Sequence, residues 1–378
     1  MTDCYIGLMS GTSLDGVDGV AVDFSGPTLR VLAKSSLAFD AAFKAELLAL
    51  NSPSHNELHR AAQAGNRIAA TYAQVVSDLR QQVNHLDMDA IDIVAIGAHG
   101  QTVRHQPQRV SDAAHGAGYT LQINNPALLT ELTGITVVAD FRSRDVAAGG
   151  QGAPLVPAFH QHVFALANAT VAVLNIGGIA NLSVLPADPH APVLGFDCGP
   201  GNALMDAWCL QHTGQPFDTA GAWAASGQCL PDLLALLQSE PYFSLPPPKS
   251  TGRDLFSPTW LQGKLHSFFA ARPQDIQATL TELTASACAQ SVIRSAKDSS
   301  LLVVCGGGAF NHHLMQRLQA TLPDVLVSTS DQHGLPPLEV EAAAFAWLAR
   351  QTMRHLPGNL PSVTGAAGPR ILGAIYPA

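Results

Sequence analysis

The sequence predicts an α/β fold made of two related α/β domains with a central cleft, and three observations carry that prediction. Strand-like apolar runs alternate with helix-like segments along the 378 residues. Each half opens on a hairpin, residues 4–24 in the first and 170–186 in the second. Each hairpin tip combines glycine with serine, threonine or asparagine. The two halves do not align residue by residue, so the repeat is one of pattern.

In chain order, "CYIGLM" and "VDGVAVDF" flank the polar tip "SGTSLDG", and "TLRVLAKSSLAF" reads as a third strand. Residues 56–85 place Leu58, Ala62, Ile68, Tyr72, Val75 and Leu79 along one side of a long helix. "IDIVAIGAHGQTV" (91–103) is a buried strand entering a polar loop. Asn124 or Asn125 caps a helix over 125–133, with Pro126 in its first turn. "GITVVADF" (134–141) is a short strand, and the glycine-rich, charged stretch 142–157 reads as a domain boundary or site loop. In the second half, 192–209 reads strand, Gly-Pro-Gly turn and helix, and the proline-rich loop 244–256 carries Lys249 and Arg253. A helix over 275–296, a strand, triple glycine and helix over 300–319, and a late helix over 337–353 follow. The tail after 356, with its prolines and glycines, is expected on the surface.

Composition narrows the function. With 47% hydrophobic and 13% charged residues the chain builds large cores, about two domains' worth. A net charge of −9 without a long basic run excludes nucleic acid as the main partner. No apolar run reaches the ~18 residues of a membrane span, and the N-terminus lacks a basic segment leading into an apolar one. The six scattered cysteines form no CxxC pair and read as reduced thiols of a cytoplasmic protein.

Four glycine turns, each after an apparent strand, can expose backbone N–H groups to an anion: Gly11 to Gly16, Gly177-Gly178, Gly199-Pro200-Gly201-Asn202 and Gly306-Gly307-Gly308. None carries the lysine of a P-loop, and no G-x-G-x-x-G opens a helix after the first strand. The pattern points to phosphates held by hairpin tips. Magnesium, which prefers oxygen ligands and keeps its waters, would join them to carboxylates.

Eight segments, in order and spanning nearly the whole chain, resemble the 1,6-anhydro-N-acetylmuramic acid kinase family of the actin, sugar kinase and heat-shock chaperone superfamily. They are "MSGTSLDGVD" (9–18), "GAHGQTVRH" (97–105), "LQINNPALLTELTGITVVADFRSRDVAAGGQGAPLVP" (121–157), "LNIGGIANLSVL" (174–185), "GFDCGPGNALMDAW" (195–208), "PPKSTGRDLF" (247–256), "CGGGAFN" (305–311) and "EVEAAAFAWLA" (339–349). The resemblance implies the actin-like ATPase (ribonuclease H-like) fold. Its domain I is 1–140 with about 354–378, and its domain II is 141–353. It implies a cytoplasmic homodimer that acts on a small molecule, 1,6-anhydro-N-acetylmuramic acid. ATP and Mg2+ are its cofactors, N-acetylmuramate 6-phosphate and ADP its products, and peptidoglycan recycling its pathway.

The resemblance also assigns residues. Asp197 of the G-F-D-x-G-P-G-N motif is the catalytic base. Gly11, Thr12, Ser13, Leu14, Asp15, Gly16, Val17 and Asp18 form the first phosphate hairpin, with Asp15 holding the metal through water. Asn175, Gly177 and Gly178 form the second hairpin, joined by Gly199, Gly201 and Asn202. Gly306, Gly307 and Asn311 form the adenosine-side loop. His99, Arg142 and Glu341 contact the sugar, an arginine fork suiting its lactyl carboxylate. Cys198 stands where many relatives carry threonine.

Plainer readings stand beside these. Asp197 would serve as a helix cap, Asp15 as a turn residue and His99 as a core histidine. Arg142, Arg144 and Asp145 would form a salt-bridged loop, Glu341 part of a helix face, and Lys249 and Arg253 solvated charges. His312-His313 lacks the second ligand pair of a zinc site. The competing activity is a superfamily ATPase or phosphohydrolase that works without a sugar acceptor.

Overall fold

The computed structural model describes residues 3–11, 13–86, 91–107, 116, 118–252 and 254–378. The chain divides into two units, Met1–Phe159 with Glu339–Ala378, and His160–Leu338.

In the first unit the apolar runs become β1 (Cys4–Met9), β2 (Gly16–Asp23), β3 (Arg30–Ala38), β4 (Ile93–Ala98), β5 (Gln101–Gln106), β6 (Tyr119–Ile123) and β7 (Val137–Ala139). The main sheet runs β3-β2-β1-β4-β7, and the C-terminal strand Ala374–Tyr376 extends it beyond β7. β1 to β3 are antiparallel neighbours, whereas β1, β4 and β7 are parallel. Parallel neighbours need helical crossovers. The Glu57–Asn84 helix precedes β4, and the Pro126–Thr133 helix precedes β7. Asn125 caps the latter, accepting from Leu128 N at 3.0 Å. β5 and β6 form a separate two-stranded sheet.

The second unit contributes β8 (Thr170–Ile176), β9 (Ile179–Leu185), β10 (Leu194–Pro200), β11 (Ser299–Cys305) and β12 (Leu326–Thr329), in the order β10-β9-β8-β11-β12. Three antiparallel strands are again followed by two parallel ones. Both units therefore share one core arrangement: an antiparallel meander whose first strand pairs with one parallel strand, which pairs with a second. This is the mixed α/β architecture expected of the actin-like type. The crossover into β11 is the Pro273–Ser295 helix, most of whose residues are buried. Its small alanine, threonine and serine side chains let it lie deep in the core.

Two expected boundaries moved. Residues 141–159 and 339–353 belong to the first unit, not to a second domain. The Val340–Met353 helix packs on β1 and β4, which explains the second shift. The first follows from Asp145, which is fully buried. It accepts from Gly152 N at 2.8 Å, from Asn359 Nδ2 at 2.6 Å and from Thr364 Oγ1 at 2.7 Å. The loop after residue 141 is thereby tied to the C-terminal segment. That segment is also not a surface tail: Val363, Thr364, Ala366 and Leu372 are buried. Among the described residues no helix is long and apolar enough to cross a membrane.

The helix approaches its sheet backbone to backbone. Gly7 and Gly97 are partners on adjacent strands. A Cβ at Gly7 would overlap the carbonyl oxygen of Ala342, and one at Gly97 that of Phe345. Carbonyls inside a helix cannot step aside as a flexible side chain would. Gly97→Ala should lower stability by about 3 kcal/mol or more, read as a lower urea midpoint. An unchanged midpoint would show that the helix can shift outward freely.

Candidate active site

In the first unit the polar tip between β1 and β2 is built on buried support. Ser10 Oγ donates to Gln101 Oε1 at 2.5 Å, and Gln101 Nε2 donates to Gly11 O at 3.2 Å. Gln101 is fully buried, so the tip hangs from β5. Gly11 O also accepts from Leu14 N at 3.1 Å, closing the turn, and Leu14 adopts a left-handed φ of 61°. Leu14 and Val17 are buried, whereas Ser13, Asp15 and Asp18 are exposed. Asp18 accepts from Ser36 Oγ at 2.7 Å, which gives it a structural partner across to β3. Asp15 faces Lys44 Nζ at 3.5 Å with its side chain 80% exposed. Gly16 starts β2. Thr12 lies outside the described residues.

His99, Arg142 and Glu341 come together. Tyr72, buried on the Glu57–Asn84 helix, accepts Gly100 N at 3.0 Å and holds the turn after β4. The His99 ring lies 4.6 Å from that of Phe345. Arg142 Nε donates to His99 Nε2 at 3.0 Å, Nη2 lies 2.9 Å from the same nitrogen, and Nη1 donates to Gly152 O at 2.8 Å. That network makes Nε2 an acceptor and assigns the ring proton to Nδ1. Burial, then the adjacent guanidinium, holds the His99 pKa well below the usual imidazole range. Burial also brings Arg142 down to about 10, against the favourable charges of Glu341 and Asp145.

The bidentate edge of Arg142 thus faces His99 and is not presented as an open fork. Glu341 is exposed near Arg142, on the helix that carries Phe345. No local sequence pattern signals that Asp145 locks this loop through Asn359 and Thr364. In the free protein the imidazole resonances of His99 should stay those of the neutral Nδ1–H tautomer from about pH 5.5 to 8. A titration through about pH 6.5 in 15N-detected NMR would overturn the assignment.

In the second unit two of the glycine turns meet. Gly201 N donates to Gly178 O at 2.9 Å, and Asn202 N to Gly177 O at 2.8 Å. Ala203 N also reaches Gly178 O, at 3.2 Å. A Cβ at Gly201 would overlap Gly177 O, so glycine is required for this contact. From behind, Thr284 Oγ1 lies 3.1 Å from the carbonyls of both Pro200 and Gly201. The N–H groups of Gly201 and Asn202 are therefore spent on the hairpin and cannot cradle an anion; their work is to lock the turn. Asn202 Nδ2 donates to Ile176 O at 3.1 Å. Asn175, at the end of β8 opposite Asn181, lies beside Gly306.

Asp197 lies at the bulge where edge strand β10 shifts register against β9. Bulges re-aim side chains beside functional sites. Asp197 N donates to Lys249 O at 3.1 Å, its O accepts from Tyr242 Oη at 2.8 Å, and its Oδ2 accepts from Thr251 N at 3.0 Å. Burial raises its carboxyl pKa to about 6, with the Thr251 N–H and the Lys249 charge pulling the other way. The helix cap is Asn202, at the start of Ala203–Thr213, so Asp197 is not a cap. Arg253 lies outside the described residues.

A cavity of about 340 Å3 is lined by Asn202, Gly307 and Asn311, together with Met205, Asp218, Phe310 and Leu338 among others. The triple glycine enters a short 3-10 turn, Gly307–Phe310, and Asn311 caps the His312–Thr321 helix by accepting Leu314 N at 3.0 Å. Asp218 was not foreseen; its carboxylate accepts Trp223 N and Ala224 N, each at 2.9 Å. The apolar walls and few polar groups suit a flat heterocycle with a sugar attached.

Among the described residues no group of three His, Cys, Asp or Glu is placed to hold a metal ion. A single exposed carboxylate such as Asp15 fits a magnesium ion that arrives on phosphates and keeps its waters, not a resident metal.

Comparison with known proteins agrees with this chemistry. The family model described as anhydro-N-acetylmuramic acid kinase matches residues 3–378. A protein of Variovorax paradoxus (strain S110) named anhydro-N-acetylmuramic acid kinase is 64% identical over 379 residues, covering 100% of this chain and 99% of that protein. One of the same name from Albidiferax ferrireducens (strain ATCC BAA-621 / DSM 15236 / T118) is 62% identical, with 100% of both chains covered. A third, from Cupriavidus metallidurans (strain ATCC 43123 / DSM 2839 / NBRC 102507 / CH34), is 55% identical, covering 100% of this chain and 98% of that protein. The chain belongs to the anhydro-N-acetylmuramic acid kinase family and is an enzyme of that kinase class.

Proposed function

We propose that this enzyme opens 1,6-anhydro-N-acetylmuramic acid with water and phosphorylates its O6 from ATP, giving N-acetylmuramate 6-phosphate and ADP for peptidoglycan recycling. The observation that carries the reading is Asp197: a part-buried carboxylate at a strand bulge, held by a backbone N–H and raised to about 6. A base of that strength is ionised at neutral pH yet accepts a proton readily.

In this reading Asp197 takes a proton from water as the oxygen bonds to C1. The C1–O6 bond breaks, and O6 receives the γ-phosphoryl group, so no second catalytic carboxylate is needed on the leaving oxygen. Residues Gly11 to Asp18, with Asn175, Gly177 and Gly178, hold the phosphates through the hairpin tips. Gly199, Gly201 and Asn202 position that second tip. Gly306, Gly307 and Asn311 shape the adenosine cavity. Mg2+ carried by the nucleotide and met by Asp15 through water would neutralise phosphate charge. His99, Arg142 and Glu341 meet the sugar. Arg142 reaches a carboxylate only with the protons His99 and Gly152 leave over, or by releasing His99. The enzyme acts in the cytoplasm as a homodimer.

Asp197→Asn should lower turnover by about 100- to 10,000-fold while ADP affinity in calorimetry stays unchanged; loss of both would mark a structural role. Because the carboxylate must be ionised to act, kcat/KM should fall as pH drops below about 6. A profile flat down to pH ~4.5 would remove Asp197 as the base. Mass spectrometry of the product formed in 18O-water tests the whole reaction. Label at C1 together with phosphate on O6 is expected. ATP turnover that leaves the sugar unmodified would establish the ATPase or phosphohydrolase reading instead.

A further inference from the structure

A second cavity in the His160–Leu338 unit, about 280 Å3, is not accounted for by the nucleotide or by the base. Its lining includes Phe196 and Cys198, the two neighbours of Asp197, but not Asp197 itself. One wall is the 243–249 loop and the other is the last two turns of the Pro273–Ser295 helix.

Two cations line this cavity. Lys249 Nζ donates to Tyr242 O at 3.2 Å, and Arg294 Nη1 donates to Phe243 O, also at 3.2 Å. These carbonyls belong to consecutive residues, and the Arg294 charge acts on Lys249. Among the described residues no aspartate or glutamate lines the cavity. Arg294 Nη2 is occupied by Gln290 Oε1 at 3.4 Å, a neutral acceptor. Burial depresses the Lys249 pKa; Cys198 pulls it back up, the Arg294 charge opposes that pull, and Asp197 adds a smaller favourable one. Like charges converging on an apolar hollow are stabilised by an anion between them.

The remaining lining divides into two halves. Phe196, Phe243, Leu245 and Pro246 offer an apolar wall, while Ser244 and Ser291 stand among the polar groups. Two cations match a dianion, and the Ser244 hydroxyl on the lining can serve a further oxygen. We propose that this cavity binds a small phosphomonoester, its phosphate between Lys249 and Arg294 and its carbon body against Phe196, Phe243 and Leu245. Residues 249–251 also grip Asp197, so an occupant reports directly to the catalytic strand.

The test is calorimetry on the full-length enzyme saturated with ADP, which keeps the nucleotide's own phosphate site filled. The probes are inorganic phosphate, phenyl phosphate and benzoate. Phenyl phosphate should bind at one additional site, more tightly than inorganic phosphate because of the apolar wall and more tightly than benzoate because of its second charge. Arg294 is exposed and outside the catalytic residues. Arg294→Glu should weaken phenyl phosphate by about tenfold or more, and Arg294→Gln by less, with ADP affinity and turnover unchanged in both. No additional site, or binding that Arg294→Glu leaves within about twofold, overturns the proposal. The binding readout does not involve Asp197 or the sugar, so its failure is separate from failure of the proposed reaction.

Discussion

The grip of the 242–251 segment on Asp197 is the constraint on which the proposed chemistry depends. That segment meets all three polar parts of the residue. The Lys249 carbonyl takes its N–H, the Tyr242 hydroxyl its carbonyl, and the Thr251 N–H its carboxylate. Burial pushes the carboxyl up, while one backbone donor and one nearby ammonium hold it down. Were the donors stronger, the carboxylate would be too weak a base. Were they absent, burial would push it higher still. A value near 6 is the balance of those opposed effects, and it needs a loop held in place by its own contacts. Tyr242 and Phe256 supply these, buried in the core with rings 5.7 Å apart.

Glycine does two different jobs in this chain. At Gly7, Gly97 and Gly201 it removes a Cβ so that two backbones can touch. At the first tip it helps shape a turn hung from a buried glutamine. The distinction bears on phosphate binding. A glycine turn offers N–H groups to an anion only if no carbonyl already holds them. At Gly201 and Asn202 the hairpin carbonyls do hold them, and the turn becomes a rigid prop for its neighbour.

The two units reach one strand order from sequences that do not align. Each begins with an antiparallel meander, and its later strands join in parallel beside the first, through helical crossovers. Short connections and the single favoured hand of those crossovers leave few other arrangements open to such a chain of elements. Apolar period and turn position are therefore enough to repeat the fold, and residue identity is free to diverge toward separate roles.

Much of this was legible in advance because it is local. The apolar periods, the Asn125 cap with Pro126 behind it, the hairpin tips and the motif around Asp197 all sit within a few residues of what they control. The sequence by itself determined the α/β class, the repeat, the family and the carboxylate at its centre. Tertiary structure alone decided that Arg142 closes on His99, 43 residues away, and that Asp145 binds Asn359, 214 residues away. It alone returned 339–353 to the first unit and sent the tail into its core. No local pattern encodes such choices. A buried donor takes whichever acceptor the packed chain brings within 3 Å, and that acceptor is known only when distant segments have met.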